Sequence, residues 1–263
     1  VKIIDTLGNT FNLTEFEKGN YRVWMERKYL NPGTAYQVNI KTDSGIEIVS
    51  DFEQMPDSPE VDSIYYLRKD IQTFDPKKPL QGIQFYIDVD GGNTSSKYYR
   101  WDIIETWEHH AAYPNTWFWN KSAIVKIDPA DYSRFYCWTT KKVKSIYTLS
   151  LEDLIQNSYK MLKLHFVDNL TQRLTFCYSI NVTQYSLTKE AYTYWDNLRK
   201  NSNDHGGLYD TQPLQVKGNL KSTTNSELEI LGFFTASPSR MKRIFVRNVP
   251  DLEPYYLICD PAI

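Results

Sequence analysis

A chain of 263 residues is long enough for two ordinary domains or for one large all-β domain. Its 41% hydrophobic content permits a sizeable core and excludes wholesale disorder, and a formal charge of −2 excludes the basic footprint of a nucleic-acid binder. Aromatic residues reach 15%, with 20 Tyr, 12 Phe and 7 Trp; strand propensity accounts for many of them and leaves some rings as candidates for ligand contact.

The sequence opens at Val1 with no initiator Met, no apolar leader and no run long enough to span a membrane, so it reads as mature, trimmed or the ordered part of something longer. Cys137, Cys177 and Cys259 are too few for a disulfide scaffold and lack any Cys-x-x-Cys spacing. Sequons start at Asn12, Asn93, Asn120, Asn169 and Asn181, and matter only in a eukaryotic secretory pathway.

Residues 1–55 read as a small β-domain of about five strands. Tyr36, Val38 and Ile40 alternate with polar residues, and Asp43-Ser44-Gly45 turns the chain into the next strand. The sheet edges need cover, either from the second domain or from strands ahead of Val1; opening directly in a strand favours the latter. Residues 56–61, with Pro56 and Pro59, form the linker. Residues 62–263 are β-rich and sandwich-like. Ile83, Phe85, Ile87 and Val89 alternate, and a Gly-Gly-Asn-Thr-Ser-Ser loop then signals a hairpin into the strand ending at His110. An aromatic loop follows, holding Tyr113, Trp117, Phe118 and Trp119. After three further strand stretches, SRFYCWTT, KMLKLHFVD and QRLTFCYSINVTQY, with a short polar helix or turn around SLEDLIQN after the first, comes the one clear helical period of the chain, over about 187–201: Ala191, Tyr194, Trp195 and Leu198 share a stripe that plugs the sandwich as core. Thr188 is its N-cap, Glu190 sits in its first turn, and Gly206-Gly207 stop it, with His205 as a turn residue. Stretches beginning at Leu214, Leu228 and Met241 are the closing strands.

Candidate chemistry is sparse. Asp88-x-Asp90-Gly91 resembles the front of a calcium loop, but Gly92 and Tyr99 stand where further ligands belong, so a hairpin turn is the better account. His109 and His110, adjacent on a strand, point to opposite faces and make a poor zinc pair. Asp102, Glu105 and Glu108 invite a glycosidase reading, since paired carboxylates can act as acid and base. There is no G-x-S-x-G elbow and no Gly-rich phosphate loop. No catalytic, metal or cofactor site emerges. Tyr113, Trp117, Phe118 and Trp119 remain, either as a stacking platform for a sugar or peptide or as a loop sealing the end of the core.

The order of several stretches resembles a Bacteroidetes family of outer-membrane lipoproteins carrying a domain of unknown function, often encoded beside a TonB-dependent receptor. These stretches include IIDTLGNTFNLTEFEKGNYRV, YYRWDIIETWE, the pair Cys137-Trp138, YSLTKEAYTYWDNL, GGLYDTQPLQVKGNL and LGFFTASPSRMKRIF. The resemblance implies an immunoglobulin-like first domain with its front strands missing, and membrane attachment only through an N-terminal lipid absent from this chain. It implies a TonB-dependent receptor as partner, and it carries over no catalytic residue. It also suggests a Cys137–Cys259 disulfide in an oxidising envelope compartment. The expectation is a non-enzymatic binding accessory at the outer membrane. A surface glycan or peptide hydrolase, or a structural adhesin, is the alternative.

Overall fold

Apolar residues recur at every second position through most of the chain, and the architecture follows that period. The computed structural model describes residues 1–203, 216–253 and 255. It is mostly β, with several antiparallel sheets and one helix, consistent with the sandwich-like class. The first strands are β1 (Lys2–Asp5), β2 (Thr10–Asn12), β3 (Thr14–Glu17), β4 (Asn20–Arg22), β5 (Ala35–Lys41), β6 (Glu47–Ser50) and β7 (Glu53–Gln54). The larger part contains β8 (Ser63–Ile71), β9 (Leu80–Asp90), β10 (Tyr98–His110), β11 (Asn115–Trp119), β12 (Ile124–Asp131), β13 (Tyr136–Lys142), β14 (Tyr147–Ser150), β15 (Ser158–Asp168) and β16 (Cys177–Leu187). Helix α1 (Lys189–Asn203), β17 (Leu220–Ser222) and β18 (Ser239–Arg247) follow.

The first sheet runs β17-β6-β5-β1-β2, with β7 on β5, while β3 and β4 pair with each other. Gly45, at φ +82°, makes the β5–β6 turn in a conformation that side chains disfavour. One edge, that of β6, is covered by β17, whose Leu220 to Ser222 align with Ser50 to Ile48. That cover comes from late in the sequence.

The sandwich proper packs the sheet β15-β9-β8 against β13-β10-β16-β18, with β14 also on β10. Ile83, Phe85, Ile87 and Val89 from β9 meet Tyr99, Trp101 and Ile103 from β10 and Tyr178, Ile180 and Val182 from β16. All are essentially solvent-free. Burying each large side chain of this kind contributes roughly 1.5–3 kcal/mol. Trp101 Nε1 donates to Gln184 Oε1 at 3.1 Å, so the one polar atom of its ring is satisfied inside the core.

Four expectations give way. β9 and β10 do not pair as a hairpin: the loop between them carries the chain from one sheet to the other. Asn157 holds that corner, its Nδ2 donating to Thr94 O while Gly91 N donates to its backbone O. Both faces of β9 are buried, and its two edges are already taken by β8 and β15. The helix does not plug an end of the sandwich but lies on the outer face of β10, β14 and β16. Trp195 and Tyr194 are consequently half-buried, Tyr194 against Phe233; Ala191 is the one buried residue of the stripe, and the charged Asp196, off the stripe, is buried as well. Asp196 is satisfied by Thr148 and by ion pairs with Arg199 and Lys200, which is how a carboxylate occupies a packing face. Finally, the stretch from Leu228 to Ser237 joins no sheet, and among the described residues of the stretch that begins at Leu214 the strand starts only at Leu220, as β17.

Candidate functional site

The aromatic segment is not a loop. β11 and β12 form a two-stranded ribbon, with Trp117 opposite Lys126, Phe118 opposite Val125 and Trp119 opposite Ile124. An irregularity in register between Asn115 and Trp117 sets the ribbon off from its base, where Ala111 N donates to Phe135 O. Because side chains alternate along a strand, Trp117, Trp119, Ile124 and Lys126 share one face and Phe118 and Val125 the other. Trp117 is 56% exposed and Trp119 63%, and Tyr113 at the base and Ile124 are more exposed still. Among the described residues, the strands of the ribbon pack chiefly against each other. Trp117, Phe118 and Trp119 thus lie exposed and outside the core cluster.

The ribbon grows out of the β10–β13 pair. On its outer face this pair adds Tyr136 and Trp138, also exposed, with Trp138 opposite Glu108 and Tyr136 opposite His110. Neither ring was among the expected contact residues, although the alternation Tyr136-x-Trp138-x-Thr140 carried the signal. His110 stacks on Phe176 with centroids 3.6 Å apart and bonds Glu108 Oε1 through Nε2 at 2.8 Å. His109 points to the other face, so the two imidazoles do not converge. No carboxylate occurs from His109 to Ile127, so Lys121 and Lys126 make the aromatic end of the ribbon positive, while Asp128 and Asp131 lie farther along β12. Scattered exposed rings need no explanation, but this run on a free-standing ribbon has the composition of a contact surface.

A family model for a domain of unknown function, DUF4249, matches residues 1–243. The chain belongs to the DUF4249 family. No curated protein and no solved structure matches it. The aromatic ribbon of this DUF4249 chain and its base, residues 113–138, lie within the matched region.

The carboxylates expected to act together do not meet in the DUF4249 sandwich. Asp102 and Glu108 lie on the outer face of β10, Asp102 paired with Arg100 and Lys142 and Glu108 with His110. Glu105 points inward, where it borders a cavity of about 470 Å³ with Trp107, Lys141 and Arg173. Burial pushes the Glu105 carboxyl up, but His165, Arg173 and the Tyr178 hydroxyl, which donates to Oε2 at 3.0 Å, outweigh it and hold the group below the ordinary value. A general acid needs the opposite shift. Arg173 also pairs with Asp168 Oδ2 at 2.8 Å.

Asp88 and Asp90 serve the backbone: Met161 N donates to Asp88 Oδ1 at 2.8 Å and Gly92 N to Asp90 Oδ1 at 2.9 Å. Among the described residues no three His, Cys, Asp or Glu side chains are grouped to hold a metal ion, and no helix is long and apolar enough to cross a membrane. Among the described residues Cys137 and Cys177 form no disulfide; Cys259, and with it the suggested Cys137–Cys259 pair, lies outside the described residues, as do His205 and Gly206-Gly207.

Proposed function

We propose that this chain is a non-catalytic binding accessory of the cell envelope, held at the outer membrane by an N-terminal lipid and working beside a TonB-dependent receptor. The resemblance of its sequence stretches supports the setting. One observation supports the mode of action: Trp117 and Trp119 stand side by side on one face of a ribbon that serves no core. Rigid aromatic side chains dominate the energetics of many protein interfaces because they bury large area at little cost in rotamer freedom. Lys121 and Lys126 beside them favour a partner surface with apolar pockets rimmed by carboxylates.

Co-purification with the neighbouring receptor tests the reading. The wild-type chain should carry the receptor through affinity capture, and Trp117→Ala/Trp119→Ala should lose it while remaining folded. Equal capture by the double variant would remove the ribbon from the interface, and absence of any receptor in the wild-type eluate would remove the accessory role.

A further inference from the structure

Three buried polar atoms without partners border one cavity. The cavity, about 240 Å³, lies between α1, the outer face of β10 and β16, and the segment after β17. Arg100, Tyr185, Trp195, Phe233, Thr235 and Ser237 provide its walls. Arg100 Nε, Thr235 Oγ1 and Ser237 Oγ are each buried and make no hydrogen bond. An unmade bond at a buried donor costs the desolvation of that group, so native chains rarely leave several at one place unless a ligand or water meets them.

The geometry around Arg100 narrows the occupant. Its guanidinium lies 4.0 Å from the Trp195 ring centroid and 4.7 Å from that of Tyr185. Those rings fix the group and shield it from water. Its Nη atoms reach Asp102 at 3.4 Å each, long for charge-assisted bonds, and Asp102 is shared with Lys142 at 3.1 Å. Two cations on one carboxylate leave positive charge in surplus beside the cavity. Thr235 and Ser237 also border a second, largely apolar cavity of about 210 Å³, with Ile3, Met25 and Phe234 among its walls, which offers the hydroxyls no partner either.

A fixed cationic donor and two hydroxyls against three aromatic rings complement a negatively charged acceptor on a flat apolar body. A metal cation would meet the arginine charge with no free carboxylate to hold it. The volume lies below the roughly 300–1,000 Å³ of clefts that take drug-sized molecules. We propose that this cavity binds a small organic carboxylate. Its carboxylate is met by Arg100 Nε and by the hydroxyls of Thr235 and Ser237, and its body packs against Trp195, Tyr185 and Phe233. The site is separate from the ribbon and does not depend on its role.

Isothermal titration calorimetry on the full chain with sodium acetate, benzoate and phenylacetate tests this, with benzyl alcohol as the neutral counterpart and inorganic phosphate as the oxyanion without an apolar body. The aromatic carboxylates should bind, and Arg100→Lys, which keeps the charge but removes Nε, should weaken them about tenfold or more. Ser237→Ala should weaken them by a smaller factor and serves if Arg100→Lys fails to fold. Trp117→Ala/Trp119→Ala should bind benzoate as the wild type does, which separates this site from the proposed receptor contact. No binding by any of the three carboxylates, equal binding of benzyl alcohol, or equal binding of phosphate overturns the proposal; the first outcome means that the cavity holds water.

Discussion

Thr188 Oγ1 accepts the backbone N–H of Ala191 at 3.2 Å and donates to Glu53 Oε2 at 2.9 Å. One hydroxyl thus caps α1 and fastens its start to β7, in the first part of the chain. Asn219 completes the junction, donating to Glu53 Oε1 at 3.3 Å while both ends of its amide bond the backbone of Phe234. Removing the cap costs about 0.5–2 kcal/mol, and leaving a buried carboxylate oxygen without its donor adds about 1–3 kcal/mol. Thr188→Ala should therefore destabilise by more than a cap alone, and Thr188→Ser by less than about 0.5 kcal/mol. Urea denaturation of the two variants decides; equal midpoints would dissolve the link between cap and Glu53.

Glu53 and Glu105 should respond to pH with opposite signs. Burial raises the Glu53 carboxyl from its ordinary 4.5, and the bonds from Thr188 and Asn219 only partly offset it. The folded state then binds the proton more tightly than the unfolded chain, so Glu53 lowers stability as pH rises from 4.5 through its raised folded value. Glu105 is held below 4.5, so its contribution is present above 4.5 and is lost as pH falls through the lower folded value. The stability of wild type minus Glu53→Gln should fall with rising pH, and that of wild type minus Glu105→Gln should rise. Denaturation midpoints measured from acid to neutral pH give both slopes, and two slopes of one sign would contradict the assignment.

The rings of the ribbon should be dispensable for folding. Trp117 and Trp119 are more than half exposed and lie outside the core cluster. Trp117→Ala/Trp119→Ala should shift stability by no more than about 0.5 kcal/mol per site. By contrast Phe85→Ala, at a side chain with no exposure, should cost about 3–5 kcal/mol. Thermal unfolding of both variants makes the comparison, and a ribbon variant as destabilised as Phe85→Ala would place those rings in the fold after all.

Much of the fold was legible because the period of a strand is written in its own residues. Ile83 to Val89 announced a buried face, and Thr188 announced the helix start. What alternation cannot encode is the partner of each strand. A Gly-Gly loop after Asp90 serves a hairpin or a crossing between sheets equally well, and Asn157, which holds the crossing, lies far away in sequence. The aromatic run from Tyr113 was visible as composition, yet Pro114 and the broken alternation hid its ribbon. The cavity beside Arg100 was invisible as chemistry. Its residues sit in YYRWDIIETWE, YSLTKEAYTYWDNL and LGFFTASPSRMKRIF, stretches that had marked only a family likeness, and folding alone brings them together.

Gly82 is where the two-sheet core is least tolerant of an added atom. It sits in β9 opposite Asp168 of β15, and a Cβ there would lie 2.2 Å from the Val167 carbonyl oxygen and 2.6 Å from the Phe166 ring. The nearest atom is backbone, so relief requires β15 to move away from β9, and Val167 is itself fully buried. Overpacking of this kind costs about 1–3 kcal/mol or more. At Gly91 the atoms a Cβ would meet are the end of the Asn157 side chain, which can swing aside at the expense of its bond to Thr94. Gly82→Ala should therefore lower the denaturation midpoint more than Gly91→Ala. Hydrogen exchange should show the loss in β9 and β15 for the first variant and in the crossing loop for the second; the reverse order would mean that β15 yields more readily than one asparagine side chain.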